Sequence, residues 1–274
     1  MTQALPPAIR FDGVRFAYPG GPLVLRDINL VVPAGQFVAL VGVNGSGKTT
    51  LLSHLIGLLR PTQGRVHILG DDAAELSVGA LARRVGFAFQ KPEQQLFSAT
   101  VQEEIAFGPR NLGLHGADLR ARVEETLAAF GLTELAGHPP AVLSFSQRRL
   151  VALASIAALK TPILALDEPL AGLDGLWRRR AIAWMNDHHA AGGTVMLITH
   201  HMRLAAKADR VLVMYRGRIT ADGAPADVFA RPETLAAAGL AEPFSVALGH
   251  KLGLPGPTLT IRSVLAALKA RERG

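Results

Sequence analysis

The first forty residues of the chain alternate between apolar and polar positions in two segments. Apolar residues occupy every second position over residues 14–18 and again over 28–32, and Pro and Gly residues that favour a turn follow each segment. Residues 37–41 are apolar throughout, as expected for a strand that is buried on both faces of a sheet. The pattern predicts two half-exposed strands followed by one central strand.

The rest of the first 225 residues combines short apolar runs with helical patterns. Strands are predicted at residues 66–69, 85–89, 163–166, 195–199 and 211–215, and a helix is predicted over residues 49–59, before Pro61. Helical patterns lie between several of the other runs. Strands that alternate with helices in this way predict an α/β fold with a largely parallel sheet.

Two segments depart from this alternation. Residues from about 100 to 159 show at least two helical patterns, including the stripe Leu119, Val123, Leu127 and Phe130. Strand patterns stop after Pro225, and a second stripe follows a candidate N-cap at Thr260; it consists of Ile261, Val264, Leu265 and Leu268. We therefore predict a main domain over residues 1–225, with a helical subdomain inserted at about 98–158, and a small helical extension over 226–274.

Composition narrows the class of protein without indicating its function. The chain has 274 residues, 49% of them hydrophobic and 19% charged, and its net charge is +7. This hydrophobic content excludes a disordered chain, and the lack of cysteine excludes disulfides and thiolate metal sites. Apolar runs such as residues 150–159 are shorter than the roughly 20 residues of a membrane-spanning helix. Since the N-terminus shows no apolar signal segment, we expect a globular cytoplasmic protein.

A glycine-rich loop between the predicted central strand and the following helix carries the first candidate chemistry. Residues 42–49 read Gly-Val-Asn-Gly-Ser-Gly-Lys-Thr, the Walker A pattern of phosphate-binding loops. Backbone N–H groups of such a loop surround phosphate oxygens, the lysine reaches the β- and γ-phosphates, and the hydroxyl after it ligates Mg²⁺. The candidate nucleotide-binding residues are Asn44, Gly45, Ser46, Gly47, Lys48, Thr49 and Thr50.

A second candidate feature is an apolar strand that ends in two carboxylates. Residues 163–166 are apolar, and Asp167 and Glu168 follow them directly. In a protein with a phosphate-binding loop, Asp167 would hold the Mg²⁺ shell and Glu168 would activate the attacking water as a general base.

Together with further short motifs, these residues resemble the ATP-binding cassette (ABC) ATPases over residues 9–225. The matching residues are Tyr18, Gln90 in the Q-loop, the signature segment 143–147, Asp174 in the D-loop and His200 in the switch position. The resemblance implies an ABC-type P-loop NTPase of the α/β class. In that fold a RecA-like, mostly parallel sheet is accompanied by antiparallel strands and an inserted helical subdomain, and the activity is hydrolysis of ATP with Mg²⁺.

The resemblance also implies a role for each matching residue. Tyr18 would stack on adenine, Gln90 would contact Mg²⁺ and water, and His200 would contact the γ-phosphate. In the signature segment, Ser144, Ser146 and Gln147 would bind the nucleotide of an opposite subunit, and Asp174 would belong to the catalytic machinery. Two cassettes would then enclose two ATP molecules head to tail.

The signature segment departs from the family pattern. The usual Leu-Ser-Gly-Gly-Gln is Leu-Ser-Phe-Ser-Gln here, so that Phe145 and Ser146 replace two glycines. Either Ser146 adds a hydroxyl donor and the site stays active, or its side chain crowds the phosphate and the site is slow. Because Lys48, Asp167 and Glu168 are intact, we favour an active site and expect Ser146→Gly to hydrolyse ATP at the same rate or faster.

Residues 90–97 and 106–109 narrow the resemblance to the ATPases of energy-coupling-factor (ECF) importers, closest to cobalt and nickel types. The C-terminal extension resembles the one with which those ATPases dimerise. The resemblance implies an ATPase dimer, favoured as a homodimer, on the cytoplasmic face of a bacterial cell membrane. Its partners would be a transmembrane scaffold (T) subunit, docked through a groove that includes Leu96 and Phe97, and a substrate-binding membrane (S) subunit.

Two alternatives concern what the ATPase serves. An ECF ATPase could power uptake of a vitamin such as biotin instead of cobalt or nickel. Some ABC ATPases act on nucleic acid or ribosomes, and a sequence pI of about 10.3 is compatible with that class. The chain has one cassette and no basic tract with interleaved aromatic residues, and Arg178, Arg179 and Arg180 spread around a predicted helix. We therefore expect no nucleic-acid partner.

Overall fold

The computed structural model describes residues 6–91 and 95–271. Within these residues the strands are β1 (Ile9–Ala17), β2 (Leu23–Val32), β3 (Phe37–Val41), β4 (Gln63–Ile68), β5 (Asp71–Asp72), β6 (Val85–Ala88), β7 (Ile163–Asp167), β8 (Thr194–Ile198), β9 (Arg210–Tyr215) and β10 (Arg218–Gly223). The helices are α1 (Lys48–Ser53), α2 (Val78–Ala82), α3 (Val101–Asn111), α4 (Gly116–Phe130), α5 (Phe145–Ala157), α6 (Gly175–Ala190), α7 (Met202–Ala205), α8 (Pro225–Phe229), α9 (Pro232–Ala237), α10 (Phe244–Lys251) and α11 (Ile261–Arg271).

The strands form two sheets. One is antiparallel, with the order β2-β1-β4-β5, and the other has the order β10-β9-β3-β8-β7-β6. In the larger sheet β9, β3, β8, β7 and β6 pair in parallel, and only β10 is antiparallel. The predicted α/β class and largely parallel sheet are therefore confirmed.

Two hydrophobic clusters cover the two faces of the larger sheet. The first joins β3 and its neighbours to the antiparallel sheet and α1, and it includes Phe11, Ile28 and Leu40. The second joins the opposite face to the inserted helices, and it includes Leu127 and Leu150. Strands β3, β7 and β8 are buried along their whole length because both faces are covered.

The inserted segment is helical, as its pattern predicts. Helix α4 buries Val123, Leu127 and Phe130 of the predicted stripe. Helix α3 begins at a capping box in which the Thr100 hydroxyl and the Glu103 carboxylate each accept a backbone N–H from the other residue. The segment packs on one face of the larger sheet.

The C-terminal segment contains α8 to α11 and no strand within its described residues. Thr260 caps α11 as predicted, because its hydroxyl accepts the backbone N–H of Ser263 at 3.0 Å. The apolar stripe on α11 is only partly buried: Val264 is covered, whereas Ile261 is 42% and Leu265 54% exposed. The domain boundaries and the dimerisation role of the extension stay predictions.

Two local expectations differ from the structure. The helix predicted over residues 49–59 ends at Ser53 and is followed by a 3₁₀ turn (His54–Ile56), because Gly57 adopts a left-handed conformation that stops it. Strand β10 follows no predicted pattern, since it is an edge strand with polar and small residues. Among the described residues no helix has the length and apolarity needed to cross a bilayer.

Candidate functional site

Four segments with candidate chemistry leave the same edge of the larger sheet. The glycine-rich loop follows β3, His200 follows β8 and Gln90 follows β6. Asp167 ends β7, and Glu168 comes directly after it. Because β3, β8, β7 and β6 are successive parallel neighbours, their carboxyl ends open side by side. This is the edge at which open α/β sheets bind ligands.

A cavity of about 510 Å³ lies at this edge. Its lining residues are Val24, Asn44, Gly45, Gly47, Lys48, Thr49, Thr50, Gln90, Asp167, Glu168, Ile198 and His200. The structure thus brings most of the predicted nucleotide, metal and catalytic residues together around one space. The predicted residues that do not line the cavity are Tyr18, Ser46, Ser144, Ser146, Gln147 and Asp174.

The glycine-rich loop curls around the Lys48 ammonium group. Lys48 Nζ donates to the carbonyl oxygens of Gly42 at 2.7 Å and Val43 at 2.9 Å. Its third donor faces Ser46 Oγ at 3.5 Å, and Lys48 also lines the cavity. Gly47 has φ 104°, and a Cβ at this position would lie 2.9 Å from Met214 Cε. The loop can take this shape only with glycine there.

Thr49 and Asp167 place two oxygen ligands at one point of the cavity wall. Thr49 Oγ1 donates to Asp167 Oδ2 at 2.6 Å, although the two residues are 118 positions apart. Burial raises the pKa of the Asp167 carboxyl, and the hydrogen bond from Thr49 opposes that rise. A hydroxyl, a carboxylate and the nearby Gln90 amide are the oxygen donors that Mg²⁺ prefers, so these residues fit the predicted ion.

Glu168 is the most strongly perturbed acid of the site. Burial of its carboxyl, with the Asp167 carboxylate as a second cause, raises the pKa of Glu168 to about 7. His200 Nε2 lies 3.4 Å from Glu168 Oε1. Burial, followed by the charge of Lys48, lowers the pKa of His200. A carboxyl group whose pKa lies near neutral pH is suited to general acid–base chemistry.

Tyr18 lies just after β1 and next to α1, outside the cavity wall. Its hydroxyl and that of Thr50 are hydrogen-bonded at 3.2 Å. Its ring contacts Phe16 edge-on, with 4.9 Å between the centroids, and the residue is 46% exposed. An exposed aromatic ring fixed beside the loop helix is compatible with stacking on a base, and that role stays a prediction.

The signature segment forms the beginning of α5, away from the cavity of its own chain. Ser144 caps the helix in a capping box: its hydroxyl accepts the Gln147 N–H, and the Gln147 side chain accepts the Ser144 N–H. Asp174 caps α6 by accepting the N–H of Trp177 at 3.2 Å. Both predicted groups thus lie at the beginnings of helices and do not line the cavity.

Sequence reasoning missed one buried residue near the site, Arg149. Arg149 is 2% exposed, and its guanidinium group donates to the carbonyl oxygens of Phe89, at 2.8 Å, and of Gln90. It therefore ties α5 to the Q-loop and lowers the pKa of Glu168 through its charge. The signal in the sequence is the pair Arg148 and Arg149 directly before the apolar part of the helix, since an arginine that is buried there must find partners.

Comparison with known proteins agrees with this geometry. The ABC transporter family profile matches residues 25–171. The chain is 42% identical to the cobalt import ATP-binding protein CbiO of Rhodobacter capsulatus, over 98% of each chain. It is 40% identical to the energy-coupling factor transporter ATP-binding protein EcfA1 of Caldanaerobacter subterraneus, over 94% of this chain and 97% of that protein.

Solved structures share the fold. That of cbiO1 from Clostridium perfringens, part of the ABC transporter complex cbiONQ, has a TM-score of 0.74 and 30% identity over 91% of this chain and all of that one. A dimeric ATP-binding cassette with ADP and Pi bound after hydrolysis has a TM-score of 0.73 and 26% identity, over 79% of this chain and 98% of that one. The phosphate-binding loop, the paired carboxylates and these matches together show that the chain belongs to the family of ABC transporter ATPases.

Proposed function

We propose that this chain hydrolyses ATP in the cavity at the edge of its parallel sheet and thereby powers an ECF-type importer. The observation that carries the proposal is the convergence of Lys48, Thr49, Asp167, Glu168 and His200 around one space of about 510 Å³. A phosphate-binding lysine, two metal-binding oxygens and an acid–base pair are the groups that phosphoryl transfer to water needs.

Each residue has a separate task in this mechanism. Lys48 and the loop N–H groups would hold the phosphates, and Thr49, Asp167 and Gln90 would hold Mg²⁺, which would neutralise phosphate charge. Glu168 takes a proton from the attacking water, and its raised pKa makes it a competent base at neutral pH. His200, at 3.4 Å, orients Glu168 and contacts the transferred phosphate.

The active form is proposed to be a head-to-tail dimer, favoured as a homodimer. Ser144, Ser146 and Gln147 do not line the cavity of their own chain, and in the proposed dimer the Ser144 hydroxyl and the backbone of this segment would face the nucleotide of the other chain. The solved post-hydrolysis relative with bound ADP and Pi is a dimer. Binding of ATP would close the two chains on each other, and hydrolysis would reopen them.

An exposed aromatic pair near the Q-loop is the proposed docking point for the transmembrane T subunit. Phe97 is 66% and Phe107 42% exposed, and their rings meet edge-on with 4.6 Å between centroids. The buried carboxylate of Glu104 holds this point by accepting the N–H groups of Phe97 and Ser98. Leu96 packs on the core instead. The protein would thus act as a peripheral subunit on the cytoplasmic face of the membrane.

The transported substrate is proposed to be a transition-metal ion, cobalt before nickel, with a vitamin such as biotin as the alternative. Support comes from the relatives, of which one is a cobalt import protein and others are energy-coupling factor proteins. Co-expression with its membrane partners, followed by analysis of the bound ligand, tests the assignment. Bound cobalt or nickel agrees with it, and a bound vitamin contradicts it.

A role on nucleic acid finds less support in the structure. Arg178 and Arg180 each donate to a backbone carbonyl, of Leu173 and Phe130 respectively. They thus take part in packing. Binding to DNA with a steep salt dependence would favour this class instead.

The substitution Glu168→Gln tests the ATPase proposal. Without the base, the variant is expected to bind ATP, to lose turnover and to accumulate as a closed dimer in ATP, seen by size-exclusion chromatography with light scattering. Glu75→Gln, at an exposed position outside the cavity, is the matched control and keeps wild-type turnover. Wild-type turnover in Glu168→Gln would exclude Glu168 as the base.

A further inference from the structure

The side chain that distinguishes this signature segment from the family pattern has a partner within its own chain. Ser146, in the first turn of α5, donates its hydroxyl to the backbone carbonyl of Gly172. The two residues are 26 positions apart, and Gly172 lies just before Asp174 in the D-loop. The hydroxyl therefore bonds to a neighbouring loop of the same chain.

The ring of the neighbouring residue Phe145 occupies the space that a side chain at position 172 would need. Gly172 has φ +73°, and a Cβ there would lie 2.3 Å from Phe145 Cε1. The ring thus lies directly over the Cα of Gly172 while Ser146 holds its carbonyl. Both residues that replace glycines in the signature segment touch the same residue of the D-loop.

Gly172 lies in the connection between the proposed base and α6. Within this connection, the N–H of Ala171 donates to the carbonyl of Glu168 at 3.1 Å, and that of Leu173 to Leu170 at 3.2 Å. The connection is therefore two consecutive turns that begin at Glu168. The hydrogen bond that holds the carbonyl of Gly172 restrains the second turn. Through the second turn it limits the positions that the first turn, which begins at Glu168, can adopt.

Helix α5, which carries Ser146, is itself attached to the Q-loop by Arg149, one turn further along the helix. Its guanidinium group binds the carbonyls of Phe89 and Gln90 and is buried. The beginning of α5 therefore contacts the Q-loop through Arg149 and the D-loop through Ser146. A displacement of the Q-loop would move α5 and, through Ser146, the D-loop.

We propose that Ser146 is a positioning residue that couples the D-loop, and with it Glu168, to the Q-loop of the same chain. The proposal rests on the ATPase function proposed above. It reverses the expectation drawn from the sequence for Ser146→Gly, because loss of the hydroxyl now removes a restraint on the segment that carries the base. Hydrolysis in that variant is therefore expected to slow.

Three variants and a control test this coupling. Ser146→Ala and Ser146→Gly remove the hydroxyl, and Ser146→Thr keeps one. Thr62→Val is the matched control, because Thr62 Oγ1 also donates from an exposed position to a distant carbonyl, that of Arg15 at 2.9 Å. Amide hydrogen exchange over residues 171–174, measured without nucleotide, reports whether the hydrogen bond from Ser146 restrains the D-loop. Steady-state ATPase kinetics report whether that restraint affects Glu168.

Loss of one hydrogen bond between neutral groups corresponds to an effect of about two- to tenfold. Ser146→Ala and Ser146→Gly are expected to show faster exchange over 171–174 and a lower kcat by about this factor, with KM for ATP unchanged. Ser146→Thr is expected to recover both quantities, and Thr62→Val to change neither.

Three results would overturn the proposal. Unchanged exchange over 171–174 in Ser146→Ala would show that the bond restrains nothing. Faster exchange with unchanged kcat would show that the restraint does not reach the base. A raised KM with unchanged kcat would show that the hydroxyl binds nucleotide. A wild-type protein without ATP turnover would refute the ATPase proposal instead, and the exchange measurement would still decide whether the restraint exists.

Discussion

The raised pKa of Glu168 predicts a pH dependence of catalysis that an ordinary glutamate would not produce. The perturbation is pH itself, varied from 5.5 to 8.5. A general base works only when it is ionised, so activity falls as pH falls through its pKa. With a pKa of about 7, we expect kcat/KM for ATP to decrease on the acidic side of neutrality.

The size of the effect follows from the fraction of Glu168 that is ionised. With a pKa of about 7, about nine-tenths of the groups are ionised at pH 8 and about one-tenth at pH 6, so kcat/KM should differ about tenfold between them. With the ordinary value of 4.5, the group would be almost fully ionised at both pH values. The pKa of His200 is lowered from 6.5, so its own titration lies on the acidic side of that of Glu168.

The assay is steady-state phosphate release at low ATP, since kcat/KM reports ionisations of the free enzyme. The control is the affinity of Glu168→Gln for ATP over the same pH range. This variant keeps every other ionisable group, so any pH dependence of its affinity between pH 6 and 8 belongs to those groups or to the phosphates of ATP. A flat kcat/KM profile over this range would refute the reasoning. A tenfold change in the ATP affinity of Glu168→Gln would assign the pH dependence of kcat/KM to another group.

Four further substitutions follow from the same contacts. Glu168→Gln should raise the free energy of unfolding by up to about 3 kcal/mol above pH 7 and leave it unchanged below about pH 4.5 in urea titrations, because the folded state raises the pKa and disfavours the ionised acid. An equal effect at both pH values would contradict this. Gly47→Ala should weaken ATP binding in calorimetry, since φ 104° strains any residue that carries a Cβ; wild-type affinity would contradict it. Arg149→Met should lower the free energy of unfolding by about 2–4 kcal/mol in urea, because it leaves buried carbonyls without donors; a loss below 0.5 kcal/mol would show that water replaces the guanidinium group. Glu104→Ala should lower the free energy of unfolding by about 1–3 kcal/mol and increase proteolysis near Phe97, since two N–H groups lose their acceptor; an unchanged cleavage rate would show that this segment keeps its conformation without Glu104.

The strands around the site were predictable because their signals are local. A fully apolar run such as residues 163–166 needs cover on both faces whatever its neighbours are, and the residues after it must leave the sheet. Asp167 and Glu168 therefore had to lie at the carboxyl end of a central strand. The edge strand β10 escaped prediction because its polar and small residues carry no such requirement.

The positions of single side chains within the site were less predictable. Sequence spacing could not show that Thr49 and Asp167 bond to each other across 118 residues, nor that His200 lies 3.4 Å from Glu168. Both contacts depend on the strand order β3-β8-β7, which long-range packing selects. The α11 stripe shows the same limit: its helical spacing was correct, yet only Val264 is buried.

The amino-acid sequence by itself therefore determined the family, the order of the elements and the residue types available for phosphate and metal binding, because motif spacing and burial periodicity are properties of short segments. Only the tertiary structure decided how those residues act on one another. The pKa of Glu168 arises from burial and from Asp167 beside it, and the hydroxyl of Ser146 faces Gly172 of its own chain. Desolvation and hydrogen-bond geometry are set by whichever segments pack nearby in space, which local spacing does not specify.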